Sequence, residues 1–356
     1  MSVVTTEEDL RVFCETVLKR SGMSSEDSQT TSRILVQTDM WGIHTHGVKN
    51  LYGYVQKAEV GGVSFSKKPE VEYKKGAVAV INGNNAMGYV SAAKAMELAC
   101  EVAKTNGISM VLVKNSCHFG ACGYYANIAA ENGMIGVVAS NVDKKMTVPG
   151  ARGMVMGHNP FAIAAPAVEF PSVILDISSS NVASLRVLKA KHSGVSIPNT
   201  WISDVNGLPT TDPSRYPDEG ALLPMGGHKG FGIAMFIEIL TSVLLGCPTS
   251  TGDEVHSWCF DLDKPNNVSH AFIAINPELI AGAEIPFTAR VQAFIDELHN
   301  VPKAAGNDRI TVPGERMWER YSKAKKDGIE LPEDVLEEIG KIEKKFGLKL
   351  KEKRQV

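Results

Sequence analysis

The order of apolar runs between Gly88 and Ile177 restricts the fold of this chain more than any other feature. The Ala-rich stretch YVSAAKAMELACEVAKTN stops at Gly107 and the β-rich ISMVLVKN follows, which predicts a helix and then a strand. The order repeats. YYANIAAEN, between Gly123 and Gly133, predicts a second helix, MIGVVASN a strand, and FAIAAPA and SVILDIS two more. Asn206-Gly207 marks a turn, and KGFGIAMFIEILTSVLL predicts a long buried helix. This middle region is α/β.

The flanks read as helical. Thr5 and Glu8 form a capping box ahead of Leu10, Phe13, Val17 and Leu18, and a second helix starting at Ser24 or Ser25 carries Ile34, Leu35 and Thr38 up to Asp39. Past the middle region the pattern predicts a strand around HAFIAI, a helix from Thr288 through Leu298, a short strand near DRITVPG, and helical segments to the end. The last of these is amphipathic, with Val335, Leu336, Ile339, Ile342 and Phe346 on one face, Pro332 near its start and Gly347 past its end. With both ends helical, the termini are expected to pack together as one small lobe.

Composition excludes several classes of function. In 356 residues, 37 Lys+Arg against 40 Asp+Glu give a net charge of −3, without the basic surplus that nucleic acid or anionic membranes select. The longest apolar stretch, Gly232 to Gly246, is interrupted by Glu238 and falls short of the roughly 20 residues of a spanning helix. The amino-terminal residues MSVVTTEEDL are acidic and lack an apolar run, so no leader is expected. Six cysteines without a C-x-x-C pair fit reduced thiols, and a cytoplasmic location is the expectation.

No G-x-G-x-x-G follows a predicted strand and no P-loop occurs, so an ordinary Rossmann domain is not supported. Three Gly-rich loops, SCHFGACGYY, VPGARGMVMGHNP and LPMGGHKGFG, allow backbone amides to approach a phosphate, and tight turns are their other use. Of nine histidines, His44 and His46 in GIHTHG, His118 in SCHFG and His228 in GGHKG lie in Gly-flanked loops. A histidine there can exchange a proton with a developing alkoxide. No Cys, His or Glu stands at zinc spacing near His44 and His46, so no metal is expected. The serines of DISSSNVAS suit a phosphate or ribose, or a helix cap; Asp176, ending that strand, reads as a hydrogen-bond acceptor for a cofactor, a partner of His46, or a cap.

These residues carry a resemblance spanning residues near 42 to near 315. The blocks D-x-x-G-I-x-T-H-G, K-N-S-x-H-F-G-A-x-G-Y-Y-A, G-x-x-x-S-N, G-H-N-P, D-x-S-x-S-x-x-A, I-P-x-x-W-x-x-D-x-x-G-x-P-T-T-D-P, L-P-M-G-G-H-K-G and V-P-G-E occur in order. Together they resemble the malate/L-lactate dehydrogenase family of NAD(P)-dependent 2-oxo acid reductases, which includes sulfolactate, ureidoglycolate and diketogulonate enzymes and cyclic-imine reductases. The resemblance implies an α/β (α+β) fold that is not of the Rossmann type. It has a large lobe, residues 73–285, with a mainly antiparallel mixed sheet flanked by helices, and a small helical lobe from residues 1–72 and 286–356. It also implies a homodimer whose subunits complete the cofactor site, NAD or NADP as cofactor, and a small 2-oxo or 2-hydroxy acid as substrate, malate (oxaloacetate) or lactate by default.

Carried over position by position, the resemblance implies that His46, with Thr45 in place of the family's serine, is the proton donor and acceptor, and that His118 lies beside the substrate or takes that role itself. Ser140, Asn141, the stretch Asp176, Ile177, Ser178, Ser179, Ser180, Asn181 and Val182, the pair His228 and Lys229, and the turn Pro313, Gly314 and Glu315 would contact the dinucleotide. His44, Thr45, Lys49, Asn50, Asn159 and Pro160 would face the substrate. The chain departs from the family where an arginine follows the loop histidine, because Lys49 and Asn50 stand there; Trp41 replaces another arginine, and Ala183-Ser184-Leu185 replaces A-R-G. A guanidinium clamps a carboxylate through two parallel bonds that lysine cannot reproduce, so a different clamp or a different substrate is expected. Reduction of a cyclic or N-alkyl imino acid and a catalytically silent, nucleotide-binding chain are the alternatives.

Overall fold

The computed structural model describes residues 3–282, 284–351 and 354–355. From the amino end run β1 (Val3–Thr5), α1 (Glu7–Arg20), α2 (Ser25–Met40) and α3 (Leu51–Glu59). The cap of α1 is Thr6, whose Oγ1 accepts from Asp9 N at 3.0 Å; Thr5, expected there, lies in β1 instead. That shift by one residue follows from burial, since Val3–Thr5 is an entirely buried strand and pairing extends the chain before the helix opens. Ser24 caps α2 through Asp27 N.

The middle region contains β2 (Glu70–Lys75), β3 (Val78–Asn82), α4 (Gly88–Asn106), β4 (Ile108–Ser116), α5 (Cys122–Glu131), β5 (Ile135–Ser140), β6 (Phe161–Pro166), β7 (Ser172–Ile177) and α6 (Ser184–His192). Then come β8 (Ile202–Ser203), β9 (Pro209–Thr210) and β10 (Ala221–Leu222), which pair in one small sheet, followed by α7 (His228–Glu238) and β11 (Val268–Ile275). The chain ends with α8 (Pro277–Ala281), α9 (Phe287–His299), α10 (Glu315–Asp327), β12 (Ile329–Leu331) and α11 (Glu333–Phe346).

One seven-stranded sheet, ordered β2-β3-β4-β11-β5-β6-β7, organises the molecule. Only β3 and β4 run parallel, so the sheet is mixed and mainly antiparallel, as the resemblance implied. Helices α4 and α5 cover it with small side chains; Ala92, Ala95, Ala99, Ala103, Ala126 and Ala129 are all fully buried, which lets the helices sit close to the strands. The apolar core is continuous from Leu10 and Ile34 through Tyr125 and Phe272 to Trp318 and Ile339. Both ends of the chain meet in it: β1 pairs antiparallel with β12, and α10 packs on α2 while α11 packs on α3.

Two further expectations fail. Residues 308–314 are not a strand but lead into α10, whose buried Trp318 anchors it by donating Nε1 to Ser172 O at 2.7 Å. The run from His228 is helical but not buried: Met235, Phe236, Ile239, Val243 and Leu244 lie on an exposed face, at 41–67% accessibility. After Glu238 the helix widens into a π-turn over Ile239–Val243.

Candidate active site

Strand direction places the site. In the order β4-β11-β5-β6-β7 an antiparallel strand separates β4 from β5 and β5 from β7, so these three end on the same edge of the sheet. His118 follows β4, Ser140 to Asp143 follow β5, and Asp176 to Ser178 close β7. Together with the loop carrying Thr45 and His46 and the segment around Trp258 they enclose a cleft of about 320 Å³.

The His46 loop is anchored from α2. Buried Asp39 bonds His44 Nδ1 at 2.7 Å through one carboxylate oxygen and accepts from Val48 N at 2.7 Å through the other. Burial raises its pKa against the opposing pull of His44. Gly47 lies against that carboxylate, where any Cβ would collide with it. The loop is thus pulled tight, and Asn50 secures it by donating to Thr45 O at 2.9 Å. His46 Nδ1 and Thr45 Oγ1 are 2.9 Å apart, and the His46 ring stacks on His118 at 5.8 Å between centroids.

His118 is fixed from the far side. Its Nδ1 meets Tyr54 Oη at 2.6 Å, and Trp258 stacks on its face at 4.8 Å and 18°. The α4 amino terminus comes so close that a Cβ at Gly88 would strike the carbonyl oxygens of Cys117 and His118. Trp258 is held through its own segment: buried Lys57 of α3 donates to Asp261 O at 2.8 Å and Lys264 O at 2.6 Å, and Asn266 donates to His256 O at 2.8 Å. Burying an ammonium on two carbonyls lowers its pKa, chiefly through lost hydration.

One cation stands on the cleft wall among the described residues, Lys145, 3.3 Å from Asp143 with both side chains largely buried. Burial lowers its pKa, but Asp143 and the other nearby acidic groups outweigh burial, so the net shift is upward and the ammonium stays charged. Desolvation, with Lys145 adding to it, holds His46 at about 4; burial takes His118 well below its ordinary value, and His158 to about 4. Burial brings His270 to about 3. The cleft therefore presents several neutral imidazoles and one positive charge at neutral pH. His158 Nδ1 and His270 Nε2 are buried without a hydrogen-bond partner, which suits a bound polar ligand. No group of three His, Cys, Asp or Glu among the described residues is arranged to hold a metal.

Of the residues singled out in the sequence, Thr45, His46, His118, Ser140, Asn141, Asp176, Ile177, Ser178 and Pro160 lie on the cleft wall. Asp176 Oδ2 accepts from Gly123 N at 2.7 Å, capping α5 rather than pairing with His46, and burial raises its pKa to about 6. The others are used elsewhere. His44 is held by Asp39, Lys49 pairs with Asp334 at 2.6 Å outside the cleft, and Asn50 serves the loop backbone. Ser179 and Ser180 are buried and bond Asn159 O and Val182 O, Asn181 donates to Thr200 O, and Val182 packs in a second apolar cluster with Met146 and Leu222.

Asn159 is buried beside Glu238. His228 and Lys229 open α7 on an exposed surface off the cleft wall. Gly314 caps α10 against Ile174 next to Pro313, while Glu315 accepts from Val312 N and bonds His299. Sequence reasoning missed Tyr54, Lys57, Asp143, Lys145, Glu238, Trp258 and His270. For Lys145 there was a signal, a lysine pair four residues after the predicted strand end Ser140-Asn141; for Trp258 and Tyr54 there was none, since only packing brings them to His118.

Neutral histidines and a buried lysine at a shared strand edge, without a glycine-rich phosphate loop, define a small-molecule enzyme site on a non-Rossmann α/β scaffold. The family described as malate/L-lactate dehydrogenase matches residues 5–340, and the chain belongs to it. The malate/(S)-sulfolactate dehydrogenase of Methanothermus fervidus is 33% identical over 98% of this chain and 99% of its own length. The NAD(+)-dependent ureidoglycolate dehydrogenase of Escherichia coli is 33% identical over 93% of each chain. A crystal structure of malate dehydrogenase from Entamoeba histolytica superposes with a TM-score of 0.91 at 28% identity, covering 98% of this chain and 99% of that one.

Proposed function

We propose that this chain is an NAD(P)-dependent oxidoreductase that interconverts a small 2-oxo monocarboxylic acid, of the lactate rather than the malate type, and its 2-hydroxy acid. The observation that carries the reading is the single charged lysine on the cleft wall. Lys145 offers one carboxylate a charge-assisted bond. No second cation stands beside it among the described lining residues, and Lys49, at the position of the family's arginine, is engaged with Asp334. The rest of the wall holds apolar Leu185, Leu188, Trp258 and Phe260 and the carboxyl groups of Asp143 and Asp176, so a second carboxylate or a sulfonate would lose water without gaining a cation.

The nicotinamide, when bound, supplies or accepts the hydride at C2. The chain's own residues do the rest. Lys145 orients the carboxylate, His118 hydrogen-bonds the oxygen on C2, His46 exchanges the proton, and the Trp258 segment excludes water. The unpartnered His158 and His270 nitrogens, and Ser140, Asn141 and the β7 end, supply donors and acceptors for the dinucleotide. Six free cysteines support the reducing cytosol as its compartment.

The test is NADH and NADPH absorbance with pyruvate, longer 2-oxo monocarboxylates, oxaloacetate, sulfopyruvate and a cyclic imine in parallel. A monocarboxylate favoured over oxaloacetate by about tenfold or more in kcat/KM is expected, the ~1.4 kcal/mol that a stranded carboxylate costs at least. A preference for oxaloacetate overturns the substrate class, turnover of the imine alone makes it an imine reductase, and silence with both cofactors overturns the activity.

A further inference from the structure

Two histidines face each other in the cleft, and the hydrogen bonds behind them are not equivalent. His46 has only the exposed Thr45 hydroxyl at its Nδ1. His118 has the fully buried Tyr54 hydroxyl at 2.6 Å, and Tyr54 in turn lies 3.2 Å from the hydroxyl of Tyr89, which stands 3.4 Å from His46 O.

Proton bookkeeping decides which way the short bond runs. Each phenol has one proton. If His118 Nδ1 donated to Tyr54, the Tyr54 proton would have to go to Tyr89 at 3.2 Å and the Tyr89 proton to His46 O at 3.4 Å, two long bonds bought with one short one. If Tyr54 donates to Nδ1, its proton occupies the 2.6 Å contact, a length typical of O–H donors and short for N–H, and Tyr89 is free to donate to either neighbour. A phenol is also the better acid than a neutral imidazole N–H, which favours the same direction.

We propose that Tyr54 is a positioning residue that holds neutral His118 with its proton on Nε2, aimed into the cleft, so that His118 donates a hydrogen bond to the substrate oxygen while His46 exchanges the proton. The division of labour follows from lone pairs. In the oxidation direction the proton leaving the substrate hydroxyl needs a nitrogen with a free lone pair. On His118, Nε2 already carries a proton and Nδ1 is covered by Tyr54, so the acceptor is His46. Tyr54 keeps its proton throughout, since burial among Tyr89, Trp258 and Tyr125 holds the phenol well above its ordinary pKa. Trp258, stacked on His118 and tilted against Tyr54 at 5.0 Å, packs the two rings together.

The assignment of roles rests on the dehydrogenase reading, whereas the tautomer does not, and the experiment separates the two. Protein labelled with ¹⁵N in its histidine rings is examined without substrate or cofactor by long-range ¹H–¹⁵N correlation, and His118 is assigned by the signals that vanish in His118→Gln. The expected result is a bare Nδ1 and a protonated Nε2 on His118, with the two shifts moving toward each other in Tyr54→Phe. A protonated Nδ1 in the unaltered protein overturns the proposal whatever the activity, and this holds even where Tyr54→Phe fails to fold. In turnover with the best substrate, Tyr54→Phe is expected to lower kcat about tenfold or more with KM within about threefold; a raised KM at unchanged kcat would make Tyr54 a packing residue only.

Discussion

In the proposed reading, substrate choice turns on Lys145. A buried ammonium is costly unless paired, and its neighbour Asp143 offers only a 3.3 Å contact, which leaves donors for an incoming carboxylate. It also adds to burial in lowering the pKa of His46 and His118, so in the proposed reading the charge that binds substrate helps keep these histidines neutral. Lys145→Met keeps the length and removes the charge. It is expected to cut kcat/KM for the acid about 100-fold, the ~3 kcal/mol of a charge-assisted contact, while the KM for cofactor stays constant. Steady-state kinetics check this, and a loss under about threefold would remove Lys145 from the site.

Between elements, Glu238 does what no backbone ladder can. From the end of α7 its Oε1 accepts from Asn141 Nδ2 at 3.1 Å and Ser250 N at 2.9 Å, and its Oε2 from Asn159 Nδ2 at 2.8 Å and from the Ser250 hydroxyl. Asn141 in turn holds Ser269 N in β11, and Asn159 Oδ1 holds Val142 N. One buried carboxylate thus joins α7 to the ends of three segments beside the cleft. Glu238→Ala leaves several buried donors bare and is expected to lower unfolding free energy by about 3 kcal/mol or more, read as a shifted urea midpoint at constant m. A loss under about 1 kcal/mol would mean that water replaces the carboxylate, and the network would not be what fixes these loops.

For the whole molecule, buried histidines set the acid limit. His46 and His158 at about 4 and His270 at about 3 lie below the ordinary 6.5, so the unfolded chain binds more protons than the folded one. Their contribution is complete above pH 6.5 and is lost as pH falls toward 4, each contributing a slope of at most about 1.4 kcal/mol per pH unit. Asp176, raised to about 6, acts in the opposite direction over the same window, and Asp39, Glu97 and Glu131, also raised by burial, act with it and offset part of the loss. The melting temperature is expected to fall steeply between pH 6.5 and 4; a flat profile there would show that these imidazoles reach water in the folded state. The exposed face of Met235 and Phe236 in α7 and of Ile239, Val243 and Leu244 beyond it is the apolar surface that the homodimer implied by the resemblance would bury. Light scattering at micromolar concentration is expected to give twice the chain mass, and a monomer mass would refute it.

Where local physics decides, the amino-acid order was enough. Alanine-rich runs and glycine stops placed α4 and α5, alternating and β-branched runs placed β4 to β7 and β11, and two of the four loop histidines, His46 and His118, marked the cleft before its walls were known. Errors arose where a neighbour distant in sequence decides. Burial of β1 against β12 moved the α1 cap by one residue, and an apolar helix expected inside lies with one face outside because Glu238, Thr241 and Ser242 take the inward positions. The site follows the same division. Gly-flanked loops mark His46 and His118 as candidates for chemistry, but their neighbours Tyr54, Lys145 and Trp258 come from 27 to 140 positions away, and a hydrogen bond or a shifted pKa is set by distance in space. The sequence by itself determined the elements and the reactive side chains; tertiary packing alone decided which proton each holds and how many charges the cleft offers a substrate, because desolvation and pairing exist only once the chain is folded.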